Sequence, residues 1–280
     1  MVLSIAFMVA GMSSRFGGKP KQLEKVGPNE ETLIEYSVKQ ALQSPFQHLY
    51  FITNPKTEHR FREIFSSSYQ SIPITYIPQI YDTTQREKPW GTSDAIANLV
   101  PYVQDAPCLI VNGDDIYGED TFRKAYQYIQ KYPQDNIIGV LPLHRTLPKT
   151  GKVNRGIVNI STTTTTTTIT PKVTSLEEML NISIEQSEYH NMYANVNCIS
   201  LQPSTINYIA SIVKTFKNAH KSNPKIECLL PNDLSTLIQE NKITMYAFEM
   251  DEDIIGITNP GDEIQLRKHL SINAHIKNKI

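Results

Sequence analysis

Leu3-Ser4-Ile5-Ala6-Phe7-Met8-Val9-Ala10, followed by Gly11-Met12-Ser13-Ser14-Arg15-Phe16-Gly17-Gly18-Lys19-Pro20-Lys21, is the stretch on which the reading of this chain turns. An apolar run of strand length breaks into a loop of small residues that carries Arg15, Lys19 and Lys21. Small residues let backbone N–H groups approach phosphate oxygens closely, and cations neutralise the charge those dipoles only partly offset. The segment therefore predicts a buried strand ending in a polyphosphate loop. Two familiar phosphate motifs fail here. The dinucleotide fingerprint G-x-G-x-x-G finds only Gly11, with Ser13 and Phe16 at its other glycine positions. A P-loop reading of Gly18-Lys19 places Ser13 at the first glycine and Pro20 where the magnesium-binding hydroxyl belongs. Pro20 also disfavours a helical Lys19, so the loop is expected to stay extended up to Lys21.

Composition sets the frame. A chain of 280 residues can bury a large core, and a single α/β domain over 1–280 is expected, with 1–145 and 146–280 as its two halves. The net charge of −1 excludes a nucleic-acid binder held by a general basic field, so any anion site must be local. Cys108, Cys198 and Cys228 are far apart in sequence and form no C-x-x-C pattern, which points to neither zinc nor a disulfide framework. The N-terminal apolar run is too short to span a bilayer, and no basic segment precedes it as in a signal peptide. A reduced, cytoplasmic setting without a membrane partner is expected.

Apolar runs at Leu3–Ala10, Leu49–Thr53, Ile74–Ile77, Cys108–Val111 and Ile137–Leu143 read as buried strands. Between them, helical spacing recurs at Leu33–Leu42, Phe61–Phe65 and Phe122–Ile129. This alternation predicts a mostly parallel central sheet with helices on both faces, and ligands in such sheets sit beyond the carboxyl ends of the strands. The opening loop, the Asn112–Gly118 turn and the segment after Ile77 then share one rim. In the second half, Gly156–Ile160 and Lys172–Leu176 read as strands flanking Ser161 and the threonine run Thr162–Thr168, a Thr-rich hairpin or loop at 161–170. Tyr193–Leu201 and Ile243–Met250 read as strands, Ser204–Phe216 and Asp262–Leu270 as helices.

The second constellation is Asn112-Gly113-Asp114-Asp115-Ile116-Tyr117-Gly118. Adjacent carboxylates at the end of a buried strand repel each other unless a cation intervenes, and magnesium takes one or two carboxylates together with substrate phosphates and water. Between the two constellations lie Gln79 and Lys88-Pro89-Trp90-Gly91-Thr92-Ser93-Asp94. Gly91-Thr92 at a helix start would admit a flat ligand close to the backbone, and a glutamine amide can meet a base edge with a donor and an acceptor. Trp90 is the only tryptophan and is read first as packing.

At these residues a family resemblance appears. Met8-Val9-Ala10-Gly11-Met12-Ser13-Ser14-Arg15, followed by Pro20-Lys21, resembles the L-A-A-G-x-G-[ST]-R…P-K signature of sugar-1-phosphate nucleotidyltransferases of the UDP-sugar pyrophosphorylase type. Lys88-Pro89-Trp90-Gly91-Thr92, Asn112–Gly118, Asn154-Arg155-Gly156-Ile157, Val173–Glu178, Leu229-Leu230-Pro231 and Asp253–Thr258 look like its later blocks, in order over nearly the whole chain. The resemblance implies a Rossmann-like nucleotidyltransferase fold of the GT-A kind. It also implies attack of a sugar 1-phosphate on the α-phosphorus of a nucleoside triphosphate, with UTP favoured and pyrophosphate released. Carried over by residue, it gives Arg15 and Lys21 catalytic roles at the triphosphate and Ala10, Gly11, Met12 and Ser13 backbone contacts to the nucleotide. It further implies Gln79, Gly91 and Thr92 at the base, Asp114 on Mg²⁺, and Gly156, Glu178 and Asn195 at the sugar.

The chain departs from that pattern at Ser13, which replaces the second loop glycine, and near the C-terminal strand, where Asn259 or Asp253 stands as the candidate second metal ligand without a clean match. Asp115 reads either as a carboxylate that supports Asp114 from behind, which is favoured, or as a surface turn residue. A metal-dependent glycosyltransferase, a cytidylyltransferase acting on a phosphorylated alcohol and a weakly catalytic nucleotide-sugar binding module remain the alternatives at this stage.

Overall fold

Strand β1 (Ser4–Val9) sends alternate side chains to opposite sides, and both sides are apolar. Ile5, Phe7 and Val9 enter one core layer, whereas Ala6 enters the other. The alternation continues through β2 (His48–Thr53) and β5 (Cys108–Asn112), with Phe51 and Leu109 in the first layer and Ile52 and Ile110 in the second. Strands buried on both faces require cover on both. Helices α1 (Leu33–Ala41), α2 (Glu58–Phe65) and α4 (Glu119–Lys131) cover the first layer through Ile34, Phe61 and Phe122. Helices α3 (Thr92–Ala97), α5 (Pro203–Ala219) and α6 (Leu230–Gln239) cover the second through Ile96, Ile209 and Leu234. The start of α1 is fixed by Thr32, whose side chain accepts the Glu35 backbone N–H at 3.3 Å.

The computed structural model describes residues 2–11, 16–148, 151–164, 169–184, 191–257 and 259–277. The remaining strands of the main sheet are β3 (Ser68–Tyr69), β4 (Ile72–Pro78), β7 (Asn136–Pro142), β8 (Val153–Thr164), β9 (Ile169–Ile182), β10 (Tyr193–Leu201) and β11 (Met245–Glu249). The ten-stranded sheet runs in the order β3-β4-β2-β1-β5-β10-β7-β11-β9-β8. A separate two-stranded ribbon pairs β6 (Asp115–Ile116) with β12 (Ile255–Gly256), and α7 (Asp262–Lys277) packs beside it through Leu266 and Leu270.

The expected mostly parallel sheet is corrected by this topology to a mixed one. Strands β4, β2, β1 and β5 are parallel, as are β7 and β11, but β10 runs antiparallel to β5, β7 and β8. Strand β10 is buried along Cys198–Leu201 like its parallel neighbours, and burial on both faces does not reveal direction. Helices do lie on both faces. The β8–β9 hairpin pairs Thr162 with Pro171 and Thr164 with Ile169, and residues 165–168 of the threonine run lie outside the described residues.

Candidate active site

Parallel β1, β4 and β5 all end at one rim, so the loop at Gly11, Gln79 and the Asp114–Asp115 turn meet there although the sequence separates them widely. Met12, Ser13 and Arg15 of the opening loop lie outside the described residues. From Phe16 onward the loop is described. Pro20 is extended with ψ 109°, and a 3-10 turn begins at Lys21. Lys21 Nζ lies 2.5 Å from Asp114 Oδ2 and donates to the Ile257 carbonyl at 2.6 Å. The Ile257 backbone N–H in turn donates to the Asp114 carbonyl at 3.2 Å, next to the β6–β12 pairing of Asp115 with Gly256. Three distant segments thereby hold one cation against one carboxylate at the rim.

Asp115 sits behind Asp114 and accepts the Asn112 amide at 2.8 Å. Burial, reinforced by the charge of Asp114, pushes its carboxyl up to about 7; the Asn112 bond, Lys21 and Arg155 oppose that rise. The two carboxyls of the turn therefore disfavour each other's charge unless a further cation is near. Buried Tyr117 closes it from below: its hydroxyl accepts the Asn112 backbone N–H at 3.1 Å and donates to the Val196 carbonyl at 2.9 Å. Val196 belongs to the bulge at which the register of β10 against β7 shifts, and Asn197 there has φ +55°.

A magnesium ion fits this donor set in one respect and not in another. Asp114 and its carboxylate neighbour provide the hard, negatively charged oxygens that Mg²⁺ takes alongside phosphates and water. The contacts of the two candidate second ligands are with other groups. Asp253 is bound by Arg145 at 2.7 and 2.8 Å, and the Asn259 backbone N–H donates to Asp262 in the turn that opens α7. Among the described residues no cluster of three or more His, Cys, Asp or Glu side chains forms a metal cage.

On the other side of the turn, a cleft of about 470 Å³ is lined by Asn112, Asp115, Arg155, Asn195, Asn197 and Gly256, among others. Gly156 is the cross-strand partner of Glu178. A Cβ on Gly156 would stand 3.3 Å from Asn195 Cβ and 3.8 Å from Glu178 Oε2, so the three residues assigned to the sugar come together at one place. Asn195 and Asn197 lock each other, with the Asn197 backbone N–H donating to Asn195 Oδ1 at 2.9 Å. Arg155, beside Gly156 in β8, has no role in the sequence reading. Its guanidinium donates to the Thr146 carbonyl at 2.8 Å and lies in the field of Asp115 and Glu178, where burial lowers its pKa and the two acids resist. Only the pairing of β8 with β9 and β10 brings it there.

The third part of the rim is built around Gln79, which is 5% exposed. Its amide nitrogen donates to the Gly91 carbonyl at 3.0 Å and to Asp94 Oδ2 at 2.9 Å. Gly91 has φ +104°, and a Cβ there would collide with the Cys228 carbonyl, so no larger residue fits. Thr92 Oγ1 accepts the Leu230 backbone N–H at 3.0 Å, and the Cys228 N–H donates to the Trp90 carbonyl at 2.7 Å. Trp90 is packing: the Arg86 guanidinium lies 3.4 Å from its ring centroid and Phe216 meets it edge-on at 6.4 Å. The three cysteines are free and buried, and burial pushes each thiol up to about 12. Among the described residues no helix is long and apolar enough to cross a membrane.

With this geometry in place, comparison with known proteins is informative. The structure of a UDP-glucose pyrophosphorylase complexed with UDP-glucose superposes with a TM-score of 0.64 at 17% identity, over 99% of this chain and 100% of that one. A UTP-bound UGPase from Acinetobacter baumannii gives 0.64 at 14% identity over 98% of both chains. The inositol-1-phosphate CTP transferase from T. maritima gives 0.64 at 11% identity over 96% of both. At such identities these likenesses establish the fold. No curated protein matches the chain in sequence. The family model described as nucleotidyl transferase matches residues 16–178, more than half of the length and the span that carries Lys21, Gln79, Asp114, Gly156 and Glu178, and the chain belongs to that family.

Proposed function

We propose that this protein transfers a uridylyl group from UTP to a sugar 1-phosphate, an N-acetylhexosamine or hexose 1-phosphate, releasing pyrophosphate. The observation that carries the reading is the contact of Lys21 with Asp114 at the rim, held from behind by Ile257 and flanked by the Asn195 cleft. A phosphate oxygen of the sugar 1-phosphate forms the new bond to the α-phosphorus, and the bond from that phosphorus to the oxygen bridging to the β-phosphate breaks. The electron pair leaves with pyrophosphate. No side-chain nucleophile is required, so the protein acts by positioning and by opposing negative charge. Lys21 and Arg15 are assigned to the phosphoryl oxygens by the loop motif, and the contact of Lys21 with Asp114 supports that assignment. Gly11 and its neighbours are assigned to the backbone contacts. Mg²⁺, when bound, would be held by Asp114 and would neutralise charge on the phosphate oxygens. Gly156, Glu178 and Asn195 are assigned to the sugar.

Gln79 supports the choice of base. Both hydrogens of its amide go to acceptors of the protein itself, and among the described residues its oxygen has no partner. A lone acceptor matches the N3–H of uracil or thymine and opposes the N3 lone pair of cytosine. Gln79 then offers the base an acceptor and no donor, which disfavours a cytidylyl donor. A cytoplasmic location suits the reaction.

The test is a pyrophosphate-release screen of nucleoside triphosphates against sugar 1-phosphates, with and without Mg²⁺. Turnover of UTP or dTTP with a sugar 1-phosphate, dependent on Mg²⁺ and with a weakened Mg²⁺ titration in Asp114→Asn, is the expected result. Binding without pyrophosphate release under every condition would refute it in favour of a binding module.

A further inference from the structure

Beyond the groups that would touch the nucleotide, an ion pair between a buried carboxylate and a partly exposed lysine stands behind the base side of the rim. Asp94, 2% exposed in the first turn of α3, divides its carboxylate between two partners. Oδ2 accepts the Gln79 amide at 2.9 Å, and Oδ1 pairs with the ammonium of Lys217 from the last turn of α5. Lys217 Nζ also lies 5.9 Å from the centroid of the Trp90 ring, and Trp90 is clamped by Arg86. The Lys217 side chain is 34% exposed, so the chain of contacts runs from the protein surface to the rim.

We infer that Asp94 and Lys217 are positioning residues that set which side of the Gln79 amide faces the base, and hence which pyrimidine is accepted; the inference rests on the uridylyl reading above. The two ends of a glutamine amide have nearly the same shape and opposite hydrogen-bonding character. Rotation by half a turn would present a donor to the base in place of an acceptor. A carboxylate held by a lysine offers only lone pairs to Gln79, and so does the Gly91 carbonyl, which makes the rotated amide doubly repulsive. Removing the ammonium takes away the partner that fixes Oδ1, so the carboxylate can turn from Gln79 and its opposition to the rotated amide relaxes. An asparagine at 94 brings a donor toward the rotated amide directly. Either change weakens one of the two groups that oppose rotation and leaves the Gly91 carbonyl in place.

The experiment compares kcat/KM for UTP and CTP, at saturating sugar 1-phosphate, in the unaltered protein and in Asp94→Asn, Lys217→Met and Lys217→Arg. The unaltered protein is expected to favour UTP. Asp94→Asn should lower the UTP-to-CTP ratio by about tenfold, the scale of one hydrogen bond exchanged for a mismatch, through a higher KM for UTP more than a lower kcat. Lys217→Met should move the ratio the same way, and Lys217→Arg, which keeps the charge, should restore it. Lys217→Met also serves if Asp94→Asn does not fold. An unchanged ratio in the folded variants, with both nucleotides slowed alike, would mean that the pair only supports the fold and would overturn the inference while leaving the uridylyl reading intact. An unaltered protein that prefers CTP would overturn the uridylyl reading itself, and the inference with it.

Discussion

The two sides of the rim are built from opposite kinds of sheet. On the side assigned to the nucleotide, loops leave the ends of doubly buried parallel strands, and wholly or partly buried polar links tie each loop to another segment: Lys21 to Ile257, Gln79 to Asp94, Thr92 to Leu230. On the sugar side, the groups stand on the antiparallel β8–β9 hairpin and on bulged β10, where Glu178 is exposed and Asn195 is held chiefly by Asn197 two residues away. The first arrangement suits charges that must stay in register with a reacting phosphorus, and the second suits adaptable contacts to hydroxyl groups. Chemistry is therefore expected to depend on the nucleotide side and acceptor choice on the sugar side.

The strongest way to break that division is Lys21→Ala. It removes the cation nearest Asp114, and turnover should fall by about two orders of magnitude or more, the scale of losing one positioned electrostatic group. Full activity in this variant would show that the rim pair is structural. Glu178→Ala should have a smaller and different effect: the KM for the sugar 1-phosphate rises about tenfold while the KM for the nucleotide stays within about twofold. Equal rises in both constants, measured by initial rates, would erase the distinction between the two sides.

The smallest expected effect is on stability, in the segment that joins the Lys21 turn to α1. Glu31 is buried next to the turn that follows Lys25 and accepts Lys39 Nζ at 3.0 Å and the Asn29 backbone N–H at 2.8 Å. Burial alone would raise its carboxyl, but the hydrogen bonds from Lys39, its own backbone and Asn29 outweigh that and hold it at about 2 against an ordinary 4.5. A carboxyl depressed on folding stabilises the folded state above its unfolded pKa, and that contribution fades as pH falls from about 4.5 through about 2. Glu31→Gln should therefore cost about 1–2 kcal/mol at pH 7 in urea unfolding, with the difference from the unaltered protein shrinking toward pH 2. A difference independent of pH would place its origin in packing.

Much of the nucleotide side was legible in the sequence because its physics is local. Leu3–Ala10, Cys108–Val111 and the helical spacing of Leu33–Leu42 each announce an element, and the strand ends carry Gly11, Gln79 and Asp114 by necessity. Glu178, Gly156 and Asn195 were assigned only through family resemblance, since nothing in their own spacing marks a site. Missed altogether were the direction of β10, the ribbon of β6 with β12, and the contacts that Tyr117, Arg155 and Lys217 make near the rim. No local pattern marks them.

The sequence by itself determined the alternation of strand and helix, the two-sided core and the identity of the charged groups, because apolar periodicity and residue chemistry are properties of short segments. Tertiary structure alone decided the mixed sheet, the meeting of Lys21 with Asp114 and Ile257, and the orientation of Gln79 between Gly91 and Asp94. Those outcomes depend on pairing between residues as far apart as 236 positions, and such pairing is fixed by how whole layers pack and by which buried polar groups must find partners.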